Sequence, residues 1–502
     1  MSEPSAPHLQ VAHRGWLTAA IMLATVMQVL DTTIANVALP HMAASLSASQ
    51  EEITWVLTSY IVAAAVATPL TGWMAATLGR RAVFVTAIAG FTGASLLCGM
   101  ATSLPEMVAF RIVQGIFGAV LVPLAQSVIL DINPKEKIGQ AMAIYGAGIM
   151  VGPIAGPTLG GWLTESFNWR FVFLVNLPIG ILALLGVLIF MPRDETRRRP
   201  FDFFGFAMLA IALAALQLML DRGQQADWFA SLEIWTYLVL MLSGFWVFLI
   251  HCWTAEHPFI DLRMFRDRNL SLGLVFIFMI GLTLFSGLAL LPPLLQHIMG
   301  YPVVTTGLVM APRGVGTMIS MILAGRLVNR VGAQRLILVG LALSIWSLWM
   351  MAGFETSMDS RPVIVSGFIQ GLGLGLVFVP LSTLTFATIA QDYRGDATAM
   401  FSLLRNVGSG VGISIVTTTL SRMISVNHEE LAGRLTMDAP QVLRDVPGLV
   451  GHNPTVAAQV ETLVTQQASM IAYADNFVLM LIFTACVIPI ALLLRAPKAA
   501  PV

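Results

Sequence analysis

The chain has 502 residues, 57% of them hydrophobic and 11% charged, and its 27 basic and 27 acidic residues cancel. Soluble domains carry about 25% charged residues, so a soluble or fibrous chain is excluded, and a zero net charge offers no basic surface for nucleic acid. The three cysteines, Cys98, Cys252 and Cys486, are too few and too scattered for a disulfide framework or a zinc site, and read as small core residues of apolar blocks.

After a polar tail ending at Arg14, an apolar block covers 15–40, too long for the apolar stretch of a signal peptide, and reads as a retained first helix. Further blocks follow at 53–78, 82–102, 107–130, 138–163, 169–191, 203–221, 233–253, 271–297, 303–328, 334–354, 362–390, 397–420 and 475–495. Each is long enough to cross a hydrocarbon core about 30 Å thick. With no water to satisfy the backbone there, each is predicted to be a helix. The fold class is therefore all-α integral membrane with 14 transmembrane helices. Between the last two blocks lies a polar segment, 421–474. Asp475 and Asn476 are expected to cap the final helix, and Glu51 and Glu52 the second.

Lys and Arg fix the orientation. With the N-terminus in the cytoplasm, 18 of the 27 fall on the inner side, 6 on the outer, and Arg111, Arg313 and Arg405 lie within helices. Both termini are thus expected in the cytoplasm, with 421–474 outside it.

Three pairs of segments repeat in order. Gly72 to Arg81 matches Gly325 to Gly332; Gln114-Gly115 matches Gln370-Gly371; Gly148 and Gly152 match Gly408 and Gly412. Each pair shares one membrane orientation, so the halves are parallel repeats. Such transporters place their substrate site between the halves near the midplane. The predicted organisation is a tail 1–14, a six-helix bundle 15–191, a linker 192–270 with two inserted helices, a six-helix bundle 271–495 including 421–474, and a tail 496–502.

Asp31 lies inside the first helix and must face the bundle interior, paired or protonated. A site that alternates between burial, which favours the neutral acid, and a cation, which favours the carboxylate, can bind and release a proton. The alternative is a permanent salt bridge that locks the helix. Arg111 lies at a compatible depth and is the expected partner. Candidates to line a central cavity are Gln28, Asn36, Gln114, Gln126, Arg313, Gln370, Arg405 and Asn406, against the plainer reading of inter-helix hydrogen bonds or snorkelling. Gly148, Gly152, Gly156, Gly160 and Gly161 put a small-residue stripe on one helix that Pro153 and Pro157 can bend, suited to packing or to gating between halves.

These residues carry a resemblance. Gly72, Gly79, Arg80 and Arg81, then Arg111 to Gly115, then the run Gly148 to Gly161, resemble the loop, fourth-helix and antiporter signatures of the major facilitator superfamily. Leu30 to Pro40, Asn168 to Gly180 and Leu218 to Trp228 are similar to its fourteen-helix drug:proton antiporters of the EmrB/QacA type. The resemblance implies export of lipophilic compounds in exchange for protons, with no cofactor beyond the proton gradient. It also implies the inner membrane of a bacterium, with a periplasmic adaptor of EmrA type docking at 421–474 and a TolC-type outer-membrane channel. A dedicated metabolite or siderophore exporter, or an uptake symporter, is the competing reading. The chain departs from the loop signature at its usual acid: Ala76 and its neighbours supply none, so no charge latch is expected there. An ATP-driven pump is excluded, since no phosphate-binding Gly-x₄-Gly-Lys-Ser/Thr loop exists.

Overall fold

The computed structural model describes residues 11, 13–49, 51–134, 137–193, 196, 199–434 and 454–494, and all regular structure among them is helical. Thirteen helices are long and apolar enough to cross a bilayer, and one bent pair supplies a fourteenth. In chain order they are α1 (Arg14–Ser45), α2 (Glu52–Ala67 with Leu70–Leu78), α3 (Arg80–Met100), α4 (Leu104–Ile132), α5 (Ile138–Ser166), α6 (Phe171–Phe190), α7 (Phe203–Arg222), α8 (Leu232–Thr254), α9 (Arg268–Ile298), α10 (Val303–Val331), α11 (Ala333–Ala352), α12 (Arg361–Phe386), α13 (Gln391–Gly433) and α14 (Thr455–Leu493).

Local chemistry sets the boundaries. Ser103, Asp202, Ser231 and Asp267 accept backbone N–H groups at the starts of α4, α7, α8 and α9. Ser49 and Glu52 satisfy each other's backbone N–H groups ahead of α2, at 2.9 and 3.2 Å. Pro69 lies in the break where the two arms of α2 meet at 56°.

The last two helices depart from the sequence reading. α13 continues past 420 and α14 begins twenty residues before 475. Asn476 is no cap: it is fully buried within α14 and donates to the Ala472 carbonyl at 2.9 Å. Both extensions are polar on one side and packed on the other, so hydropathy alone reads them as a connection. Asn427 meets the Ala468 carbonyl, His428 pairs with Glu461 at 2.8 Å, and Gln466 donates to Ile298 O at 2.9 Å. Residues 435–453, and both tails except residues 11, 13 and 14, lie outside the described residues. Cys486 is exposed rather than buried in the core.

The repeat is structural. α1 packs on α5, α2 on α4, and α3 on α4 and α6; α9 packs on α13, α10 on α12, and α11 on α12 and α14. Every pairing shifts by eight helices, as two inserted helices between six-helix halves require. Gly79 and Gly332 hold the same left-handed backbone, φ 85° and 92°, after α2 and α10. Gly115 lies against the Tyr60 carbonyl of α2, and Gly371 against the Arg313 carbonyl of α10.

α7 joins the halves laterally. Asp221 binds the Thr58 hydroxyl of α2. On the other side, Ser414 of α13 donates to Leu220 O at 3.1 Å, and Trp228 donates to Thr418 Oγ1 at 3.0 Å. α5 and α10 meet along their length: glycines 307, 314 and 325 of α10 admit Thr158, Ile154 and Ala143 of α5.

Candidate functional site

Asp31 and Arg111 form an ion pair at 2.7 Å with both side chains essentially unexposed. Two further donors converge on the carboxylate: Gln114 Nε2 of α4 at 2.9 Å and Asn176 Nδ2 of α6 at 2.8 Å. Arg111 in turn donates to the Val56 carbonyl of α2 at 3.0 Å and to Gln114 Oε1 at 2.8 Å. Its guanidinium lies 4.4 Å from the Tyr60 ring centre and 5.6 Å from that of Phe173. Ser95 of α3 accepts from Asn176 and donates to the Phe173 carbonyl, both at 2.9 Å. Five helices of one half thus supply a dry, hydrogen-bonded cradle, as a charge in hydrocarbon requires. Sequence reasoning did not single out Asn176, Ser95 or Tyr60 as site residues.

Among the described residues, the second half carries no copy of this pair. Gly371 meets Arg313 as Gly115 meets Tyr60, so Arg313 stands at the place of Tyr60. A Cβ on Gly287 of α9 would lie 3.5 Å from Arg313 Nη1. α9, the counterpart of α1, has no Asp or Glu between Arg268 and Ile298.

The other candidates disperse. Gln114 belongs to the Asp31 cluster. Gln28 donates to the Tyr60 hydroxyl at 2.9 Å, next to it. Gln126, Arg313 and Gln370 are buried, while Asn36 and Asn406 are exposed and Arg405 is partly buried. Gln370 borders a small cavity of about 30 Å³ with Thr283, Ser344 and Thr484, inside the second half rather than between the halves.

The glycine stripe of α5 packs against α1, the helix of Asp31. Gly148 faces Met22 and Gly156 faces Thr33, while a Cβ on Gly152 would lie 2.9 Å from Val29 and one on Gly160 3.1 Å from Ile34. Thr33 donates to the Gly152 carbonyl at 3.3 Å. α5 is interrupted at Met150, and Pro153 falls in the first turn of its second part, where a missing N–H is harmless. The glycines of α10 make contact with α5 across the halves, and a Cβ on Gly161 would lie 3.9 Å from Val303. The stripe therefore seats α1.

The end bearing the α2–α3 loop holds a latch that sequence reasoning did not expect. The loop has no acid, but Asp131, at the end of α4, takes Arg80 of the loop and Arg394 of α13 together. Arg199, between α6 and α7, pairs with Asp396 of α13 at 2.8 Å and donates to Phe259 O at 3.1 Å; its own carbonyl accepts from Trp73 of α2 at 3.0 Å. Arg81 donates to Leu188 O at 2.6 Å within its own half. Gly72 makes the closure possible: a Cβ there would strike Asp396, 2.8 Å from its backbone N and 2.9 Å from its Cα. Gly72→Ala should hold α2 off α13 and lower transport several-fold with little loss of expression; transport at the wild-type rate would show that this contact does not limit the cycle.

The sequence matches the family model of the Major Facilitator Superfamily over residues 21–413. It is 34% identical over 498 residues to the "Fatty acid resistance protein FarB" of Neisseria gonorrhoeae, covering 98% of each chain. It is 36% identical over 467 residues to the "Multidrug export protein EmrB" of Escherichia coli strain K12, covering 92% of this chain and 91% of that one. Identity to the "Probable multidrug resistance protein EmrY" of the same strain is 33% over 470 residues, with the same coverage. Among solved structures, the human organic anion transporter MFSD10 (TETRAN) superposes with a TM-score of 0.58 at 16% identity, over 95% of this chain and 100% of that chain, a likeness of fold alone.

Proposed function

The chain belongs to the major facilitator superfamily, whose members are transporters and not enzymes, and from that premise we propose that it is a proton-driven exporter of lipophilic toxic compounds. The observation that carries the reading is the dry Asp31–Arg111 pair.

The carboxylate is held by one cation and two amide donors. Protonation removes the charge that attracts Arg111, yet Arg111 keeps the Val56 carbonyl, Gln114 and the Tyr60 ring. Both protonation states can therefore be accommodated, and passing between them shifts α1 against α5 at the seam of Thr33 and Gly152. Residues 15–191 and 271–495 are read as the two bundles that rock about a central site. With Asp31 wholly unexposed, this state is one in which the proton site is shut from water.

The loop-end latch is assigned to the cytoplasmic face of a bacterial inner membrane, with both termini on that side, in keeping with the arginine asymmetry. The projecting parts of α13 and α14 are assigned to docking a periplasmic adaptor of the EmrA type, which passes cargo to a TolC-type channel.

A permanent lock is the second reading, favoured by the complete burial of the pair. In proteoliposomes carrying a preset pH difference, lipophilic drugs should dissipate that difference faster than in protein-free vesicles. No drug-dependent proton movement across a broad panel would rule out the coupled reading.

A further inference from the structure

Two of the groups that hold Arg111 respond differently to a proton. Asp31 Oδ2 meets the guanidinium at 2.7 Å, and the Tyr60 ring centre lies 4.4 Å from it; the Phe173 ring is farther, at 5.6 Å. When Asp31 is ionised the pair is neutral and the Tyr60 ring adds little. When Asp31 is protonated the same ring faces a buried cation with no counter-charge, where a desolvated π-face attracts most strongly. The ring therefore favours the protonated state of Asp31. The titratable groups facing this spot are Asp31 of α1, Tyr60 of α2, Arg111 of α4 and Cys98 of α3, whose thiol lies 3.6 Å from Gln114 Oε1; α6 contributes the neutral Asn176.

Tyr60 is itself held from α1. Gln28 Nε2 donates to its hydroxyl at 2.9 Å. Gln28 precedes Asp31 by three residues, one turn away on the same face. Both lie near the middle of α1, the level at which transporters built from parallel repeats bind cargo. Tyr60, Arg111 and Asp31 are buried, whereas Gln28 stays partly exposed. Its Oε1 is buried without a donor among the described residues, so the amide is half-satisfied and free to re-pair. Gln28 is thus the accessible end of a chain that runs Gln28, Tyr60, Arg111, Asp31.

Resting on the exporter reading above, we propose that Tyr60 is the positioning residue that sets the proton affinity of Asp31, and that Gln28 is the arm through which cargo withdraws it. Cargo that takes the Gln28 amide frees the Tyr60 hydroxyl, and the ring turns off Arg111. Arg111 then needs the carboxylate: the Asp31 O–H bond breaks, its electron pair stays on the carboxylate, and the proton passes to water. Cargo and proton compete through one guanidinium without touching each other.

The test uses the full chain purified in detergent. Protonation of Asp31 is followed against pH as the infrared carboxyl band that wild type shows and Asp31→Asn lacks. Proton release is read with a pH dye on adding whichever of tetraphenylphosphonium, chloramphenicol and novobiocin dissipates a preset pH difference in wild-type proteoliposomes. Tyr60→Leu removes the ring and should move half-protonation down by about one pH unit, a loss of about ten-fold in proton affinity. Tyr60→Phe keeps the ring and drops the hydroxyl; its pH profile should match wild type while probe-induced release falls several-fold. Gln28→Leu should behave as Tyr60→Phe does. If Tyr60→Leu does not fold, Tyr60→Met makes the same comparison. A pH profile unmoved by loss of the ring, or full release from Tyr60→Phe or Gln28→Leu, overturns the proposal. So does a Tyr60→Phe profile displaced as far as that of Tyr60→Leu. Wild type that exchanges protons with none of the three probes, nor with the broader panel, overturns the exporter reading itself, while the pH profiles still judge the role of the ring.

Discussion

Asp31→Asn abolishes drug-dependent proton exchange, down to the level of protein-free vesicles, while the protein still inserts and folds. Asn keeps an oxygen where Asp31 accepts from Gln114 and Asn176, so the polar cradle stays nearly satisfied. What is lost is the charge facing Arg111 and the capacity to carry a proton. Removing one partner of a buried ion pair costs about 3–5 kcal/mol. The lower end is expected here, because Arg111 retains the Val56 carbonyl, Gln114 and two aromatic faces. Adding Arg111→Gln should recover much of that stability without restoring exchange. This double variant separates the two readings. A permanent lock needs only a stable contact and would regain transport with its stability; a proton carrier would not. Stability is read from thermal unfolding of detergent-purified protein, and exchange from a trapped pH dye.

Asp131→Asn should open the loop end and slow transport about ten-fold. Asp131 is 2% exposed and holds Arg80 and Arg394 at once, one from each half. Two charges about 4 Å apart attract by about 4 kcal/mol at an effective dielectric of about 20. Both arginines keep some solvent contact, which screens part of this. Even a discounted loss of 1.4 kcal/mol shifts a two-state equilibrium about ten-fold. A cysteine at Ala397, fully buried in the first turns of α13, reports the change in a background with Cys98, Cys252 and Cys486 replaced. Thiol labelling from the loop end should rise in Asp131→Asn. Unchanged labelling would show that the arginine clasp does not hold this end shut.

Hydrocarbon imposes the strongest rules on a sequence, and the features those rules govern were legible. Fourteen spans follow from block length, and the parallel halves follow from glycines that recur where backbones touch. Asp31 and Arg111 stood out because charges within spans are rare and must find each other. The neutral partners were not legible, because Asn176 and Ser95 resemble any other polar residue of a membrane helix until the packing of α3 and α6 is known. The latch was missed because its acids, Asp131 and Asp396, lie outside the loop motif, and Arg199 reaches across 197 residues of chain. Asn476 was misread because helix α14 extends beyond the apolar block, with polar residues on one side only. The glycine stripe of α5 faces α1, and periodicity alone does not name the helix that a small-residue face packs on.

The central claim is that Asp31 gives up a proton when cargo binds. Purified wild-type protein, pre-equilibrated in weakly buffered detergent solution with a pH-sensitive dye, should release protons on addition of a saturating transported compound, and Asp31→Asn should bind the same compound with no release. Equal proton release from the two proteins would contradict the account.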